Sequence, residues 1–136
     1  MNKLTVFIIC LGVLITIFSM IVCIEIYSLE RAMARGFYSD ILDDMQDIGY
    51  LDSRLEQYYT AKLDSFGWQP LDADYFTGTL PRTATARAKK EQNQHVLLVV
   101  RIRPSQVSQW LHYFQEGERD FLFTGSRPSE YFSPEW

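Results

Sequence analysis

Between Leu4 and Ile24 (LTVFIICLGVLITIFSMIVCI) the chain carries no charged residue, with Lys3 before the run and Glu25 after it. A helix rises ~1.5 Å per residue, so this run is long enough to cross the ~30 Å hydrocarbon core of a bilayer. The segment reads as a single-pass anchor over 1–25 with a soluble domain over 26–136 held at the membrane surface. A cleaved signal peptide is the competing reading, because Ala32-Met33-Ala34 fits a small-x-small cleavage pattern. Against it, the apolar run exceeds the roughly 7–15 residues of a signal core, and the site lies beyond Glu25, Glu30 and Arg31. Lys3 on one side and Arg31 and Arg35 on the other nearly balance the positive-inside count. The N-terminal flank is too short to be a domain, so the expected arrangement is a cell-membrane protein with its C-terminal domain extracytoplasmic.

The soluble part is long enough for one small core. Its net charge is modest, −4 for the whole chain, and Lys89-Lys90 is only a dipeptide, so no nucleic-acid groove is expected. Cys10 and Cys23 both lie in the apolar run, ~20 Å apart along a helix, too far to pair. They read as small apolar residues, with lipidation of Cys23 as the alternative.

Helical spacing continues past the span. Leu29, Met33, Phe37, Ile41, Met45 and Ile48 recur every three or four residues, and Gly49 is a good terminator. The spacing predicts one rod, its soluble half about 26–48. Ser53-Arg54-Leu55-Glu56 reads as a capping box opening a second helix, about 53–66, with Leu55, Tyr59, Leu63 and Phe66 as its apolar stripe. A sheet region is expected over about 71–132. Leu71–Thr77 reads as a first short strand, and Arg82–Ala88 as an irregular arm or edge strand. His95–Arg103 (HVLLVVRIR), stopped by Pro104, is the strongest strand signal. Ser105 then caps a short helix ending at Gly117, and Phe121–Thr124 is the last strand. The fold class is α+β, with a small antiparallel sheet packed on the helices from near Ile26 onward. Val99 is taken as a core position, as are Trp110, Leu111 and Phe114 at helical spacing.

No constellation for chemistry stands out, so the chain is read as a non-enzyme without cofactor, metal or small-molecule substrate. His112 and Glu116 read as a surface polar pair. No G-x-S-x-G elbow, S-x-x-K motif or glycine-rich phosphate loop is present. Asp40, Asp43, Asp44 and Asp47 share one helix face, read as solvated, with docking of a basic partner or a cation as alternatives. Glu25 sits at the membrane boundary, among headgroups or paired with a neighbouring helix. Gly12, Thr16 and Ser19, spaced i, i+4, i+7, form a small-residue face suited to helix packing in lipid.

Three stretches carry a resemblance: Ile24-Glu25-Ile26-Tyr27 through Ala32-Met33-Ala34-Arg35-Gly36, Asp47-Ile48-Gly49-Tyr50-Leu51 with the helix to Phe66-Gly67, and Phe121-Leu122-Phe123-Thr124-Gly125-Ser126 through Ser129-Glu130-Tyr131-Phe132. In this order the chain resembles pilins and pseudopilins, and more closely the TadE-like pseudopilin group with its relatives in bacterial conjugative or integrative elements. The resemblance implies a helical spine bearing a small sheet. It also implies a structural or accessory subunit of a pilus, pseudopilus, secretion or conjugation apparatus, with the bilayer, other transmembrane helices and copies of itself as partners. Such pilins carry a basic leader ending in glycine and a glutamate at the fifth mature position. Here position 5 is Thr5 and no such leader precedes it, which fits either an already processed or an unprocessed chain. The reading from another class is a membrane-tethered binding or sensor module of the cell envelope. An apolar surface continuous with the span favours the subunit, and an isolated concave pocket on the head favours the module.

Overall fold

The computed structural model describes residues 2–132; the end of the Pro/Ser-rich tail lies outside them. Helix α1 runs unbroken from Lys3 to Ile48. Asn2 caps it by accepting from the Leu4 N–H at 3.3 Å. Gly49 ends it in the left-handed region, φ 90°, with its N–H on the Met45 carbonyl at 2.7 Å. A side chain at Gly49 would be strained at that φ and would also collide with the Ala88 carbonyl and Arg87, so glycine is required twice over. Helix α2 is Ser53–Asp64. The expected capping box does not form: Asp52, not Ser53, occupies the cap position, without a side-chain cap bond, and the Ser53 hydroxyl donates to Asp52 at 3.4 Å instead.

The sheet is three-stranded and antiparallel, in the order β1 (Gln69–Pro70), β2 (His95–Arg103), β3 (Phe121–Pro128). Helix α3, Gln106–Glu116, links β2 to β3 and ends at Gly117. The long β2–β3 ladder pairs His95 with Pro128 through Ile102 with Phe121, so β3 outlasts its expected end at Thr124. Val96, Leu98, Val100 and Ile102 are buried and form a core with Ile41, Leu42 and Met45 of α1 and with Phe121. This is the expected α+β arrangement of a small sheet packed on a long helix. The parity differs from expectation at one position: Val99 belongs to the outer side of β2, half-buried under Gly78, because side chains alternate faces along a strand.

Leu71–Thr77 is not a strand. The Asp74 carboxylate accepts from the Phe76 N–H at 3.0 Å and from the Thr77 hydroxyl at 3.2 Å, folding the segment into a turn that cannot offer a ladder. The free edge of β2 is covered piecemeal. Gln69 pairs with Arg103, the Tyr75 carbonyl accepts from Arg101 N–H at 2.9 Å, and Leu80 exchanges two backbone bonds with Leu97. Between them the Thr79 hydroxyl both accepts from Val99 N–H and donates to its carbonyl, each at 3.0 Å, standing in for a strand neighbour. Tyr75 and Phe76 are thereby fully buried. Arg82–Ala88 is an irregular arm with a 3-10 turn at Ala84–Ala86. Arg82 ties it to α2 and the turn through Glu56 at 2.7 Å and Asp74 at 2.9 Å. Arg87 lies between the rings of Tyr50 and Tyr131, joining the segment after β3 to the α1–α2 link.

The apolar stripe of α1 also departs from the expected one. Successive i+4 steps advance 400°, so such a row turns about 40° per step around the helix. It begins on the outer side at Leu29, 62% exposed, packs half-buried against the core at Met33 and Phe37, and is fully buried only at Ile41 and Met45. The buried line is instead Tyr27, Ala34, Ile41, Leu42 and Met45. In α2, Tyr59 and Leu63 are buried, whereas Phe66 falls beyond the helix and is 43% exposed.

Candidate functional site

Among the described residues α1 is the one helix long and apolar enough to cross a membrane, and nothing packs on that part of it. Gly12 has open space around it. The Thr16 hydroxyl donates to the Gly12 carbonyl at 2.9 Å and the Ser19 hydroxyl to the Ile15 carbonyl at 2.8 Å. Both polar groups are thus satisfied within the helix, as an apolar solvent requires. By helical geometry Gly12, Thr16, Ser19 and Cys23 fall within about 80° of the Tyr27 meridian, on the side where the head sits. Glu25, two residues before Tyr27, is exposed and points to the opposite side.

The head meets the exit of the apolar segment through α3. Tyr27 and His112, both buried, share a hydrogen bond at 2.9 Å, and Phe121 packs against both rings. His112 is therefore part of the joint and not a surface pair with Glu116. Arg31 reaches the Tyr27 hydroxyl at 3.3 Å and Glu116 at 3.4 Å. At the other end of α3, Glu30 accepts from the Ser105 N–H at 3.3 Å and its hydroxyl at 3.0 Å. The Glu30 carboxylate thus satisfies a free donor where α3 begins. Ser105 occupies the cap position but does not use its own hydroxyl to cap.

The core expectation for α3 is reversed. Ser108 and His112 face inward, buried, while Trp110 and Phe114 are 64% and 75% exposed and Val107 lies at the surface. Leu111 is half-buried against the core. These four line an open hollow completed by Gln106 and by Cys23 of the apolar segment. The expected core row was Trp110, Leu111 and Phe114. The signal of the inner face is the second row, Ser105, Ser108, His112, at i, i+3, i+7, whose small and polar members allow α3 to cross close over α1.

The four aspartates do not make one free patch. Asp43 pairs with Arg127 of β3, and Asp44 accepts from the Tyr59 hydroxyl at 2.7 Å, so the two flank α1 on different sides. Burial, reinforced by the Asp44 and Asp40 charges, pushes the Tyr59 phenol well above its usual range. Asp40 and Asp47 are exposed. No group of three or more His, Cys, Asp or Glu suited to a metal ion occurs among the described residues.

Comparisons with protein-family models, with curated proteins and with solved structures return no match to this chain.

Proposed function

We propose that this protein is a non-enzymatic, membrane-anchored subunit of a cell-envelope assembly of pilus, pseudopilus, secretion or conjugation type. The first half of α1 lies in the membrane as a single pass, and the head lies on its extracytoplasmic side. The observation that carries this reading is the division of one unbroken helix. Its first half is apolar and exposed except at half-buried Cys23, while its second half is the spine on which sheet, α2 and α3 pack. A spine with a bare apolar end and a small sheet laid on the rest is the architecture a pilin-like subunit needs. The bare end is the element that associates, and the head is the surface displayed. The hollow beside α3 supports the subunit over a tethered binding module, because it is not isolated on the head but runs into the apolar segment at Cys23.

Association would use the face of Gly12, Thr16 and Ser19. Small residues let helix backbones approach in lipid, where larger apolar side chains gain nothing over the acyl chains. A scan of photo-crosslinking residues through positions 10 to 23 of the full chain in its membrane tests this. Crosslinks that recur with helical period and fade in Gly12→Leu, with insertion unchanged, are the expected result. Evenly smeared or absent crosslinks refute the assembly reading.

A further inference from the structure

An eleven-residue stretch, α3, is amphipathic in the wrong sense for a helix on a water-facing surface. Its inner face against α1 is Ser108 and His112, and its outer face is Val107, Trp110 and Phe114, flanked by Leu111. On a helical wheel these four span about 100°, a continuous apolar stripe. A soluble domain would place that stripe in its core, and here the core side is already filled by the Tyr27–His112–Phe121 cluster. The exposure is also not random in position. The stripe borders a hollow whose remaining wall is Cys23, one residue short of the end of the uncharged run. Side chains of a helix lean toward its N-terminus, so the Cys23 wall lies on the membrane-ward side of α3.

We infer that α3 is an interfacial helix: its Val107–Trp110–Phe114 face is immersed at the headgroup–acyl boundary of the bilayer that α1 crosses. The occupant of the hollow is lipid. This rests on the membrane-anchored reading of α1 and goes beyond it, since an anchor alone leaves a head free to stand off the surface. Three features fit the boundary specifically. Trp and Tyr favour that depth, where the ring is apolar and its polar edge stays wet. Tyr113 and Arg119 border the same aromatic face, with the Arg119 guanidinium over the Tyr113 ring at 5.7 Å, placing a cation where lipid phosphates lie. The clamps at both ends of α3, Glu30 to Ser105 and Arg31 to Glu116, hold it across α1, so the stripe enters the boundary along its length.

The test uses the full chain reconstituted in phosphatidylcholine liposomes, with brominated phosphatidylcholine as the acyl-chain quencher and iodide as the aqueous one. Resistance to alkaline extraction reports the anchor separately, and its failure would overturn both readings. With the chain inserted, Trp110→Phe is compared with the wild type, and the difference spectrum isolates Trp110 from buried Trp68 and from Trp136. Trp110 is exposed in the fold, so the variant should keep the wild-type circular dichroism. The expected result is that brominated lipid quenches the wild type and that most of this quenching disappears in Trp110→Phe, with a blue-shifted Trp110 emission shielded from iodide. Equal lipid quenching in both proteins, or a Trp110 signal quenched by iodide, overturns the inference. The face would then be open to water and fit for a protein partner.

Discussion

The two adjacent positions Leu98 and Val99 give a sharp test of how β2 lies on α1. Leu98 is fully buried against the helix, whereas Val99 is half-buried on the other side, beneath Gly78 and beside Thr79. Aspartate at 98 forfeits ~2 kcal/mol of apolar burial. Its carboxyl must also stay neutral: holding a group of ordinary pKa ~3.9 protonated at pH 7 costs about 4 kcal/mol at 1.36 kcal/mol per unit. The sum, ~6 kcal/mol, matches or exceeds the lower range of domain stability, ~5–15 kcal/mol, before the unpaired carboxyl is counted. Aspartate at 99 loses ~1 kcal/mol of partial burial and up to ~1 kcal/mol of strand preference, and its carboxylate can reach water. Urea titration of the full chain in detergent micelles, followed by near-ultraviolet circular dichroism, separates the two. Val99→Asp should keep a cooperative transition with its midpoint lowered by ~1 M, taking ~2 kcal/mol per molar as the slope. Leu98→Asp should show no native signal at zero urea. Equal damage at both positions, or a native Leu98→Asp, would refute the register and the packing of this strand on α1.

Tyr27→Phe removes the partner of buried His112 and should cost about 1–3 kcal/mol, seen as a lower melting temperature of the full chain; no change would mean the bond contributes nothing at the joint. Burial tends to raise the Asp74 carboxyl, but the Arg82 guanidinium, the Phe76 N–H and the Thr77 hydroxyl outweigh it and hold it below its usual range. A carboxyl depressed in the fold stabilises above its unfolded value, ~3.9, and loses that contribution as pH falls through the lower folded value. Asp74→Asn should therefore lower the melting temperature at pH 7 and lessen the further loss below about pH 4. Parallel acid curves for the two proteins would refute it.

Where local rules sufficed, the sequence was legible. Gly49 and Gly117 terminate α1 and α3 as their spacing suggests, and Pro104 stops β2 at Arg103. What it hid was decided in two places by local polar competition and elsewhere by partners far along the chain. Leu71–Thr77 has strand-like alternation, yet one carboxylate, Asp74, takes the Phe76 N–H and turns it. Ser53 has the sequence of a cap but stands one place inside the helix. On α1 and α3 alike, apolar periodicity reveals a stripe but not what covers it. For α3 the stripe nearest the apolar segment is the exposed one, and Ser108 and His112 are buried because Tyr27 and Phe121 give the inner side its packing. The small-residue face of α1 was readable as a pattern, and its position beneath α3 was not.

That position couples the two proposals. A helix is rigid about its own axis over the one turn from Cys23 to Tyr27, so the contacts that fix α3 on Tyr27 and Glu30 also fix which side of the apolar segment lies beneath it. Gly12, Thr16 and Ser19 lie on that side and Glu25 on the other. A helix packing on the small-residue face would therefore rise toward the lipid-filled hollow beneath α3. With α3 seated in the boundary, the head cannot swivel about the anchor, and approach to the small-residue face is limited to partners that pass beside α3 within the bilayer. Rotational freedom lost in advance lowers the entropy cost of each later association. A head so seated would make assembly through α1 directional: the bilayer sets the tilt, α3 sets the azimuth, and the face of Gly12 meets the neighbour.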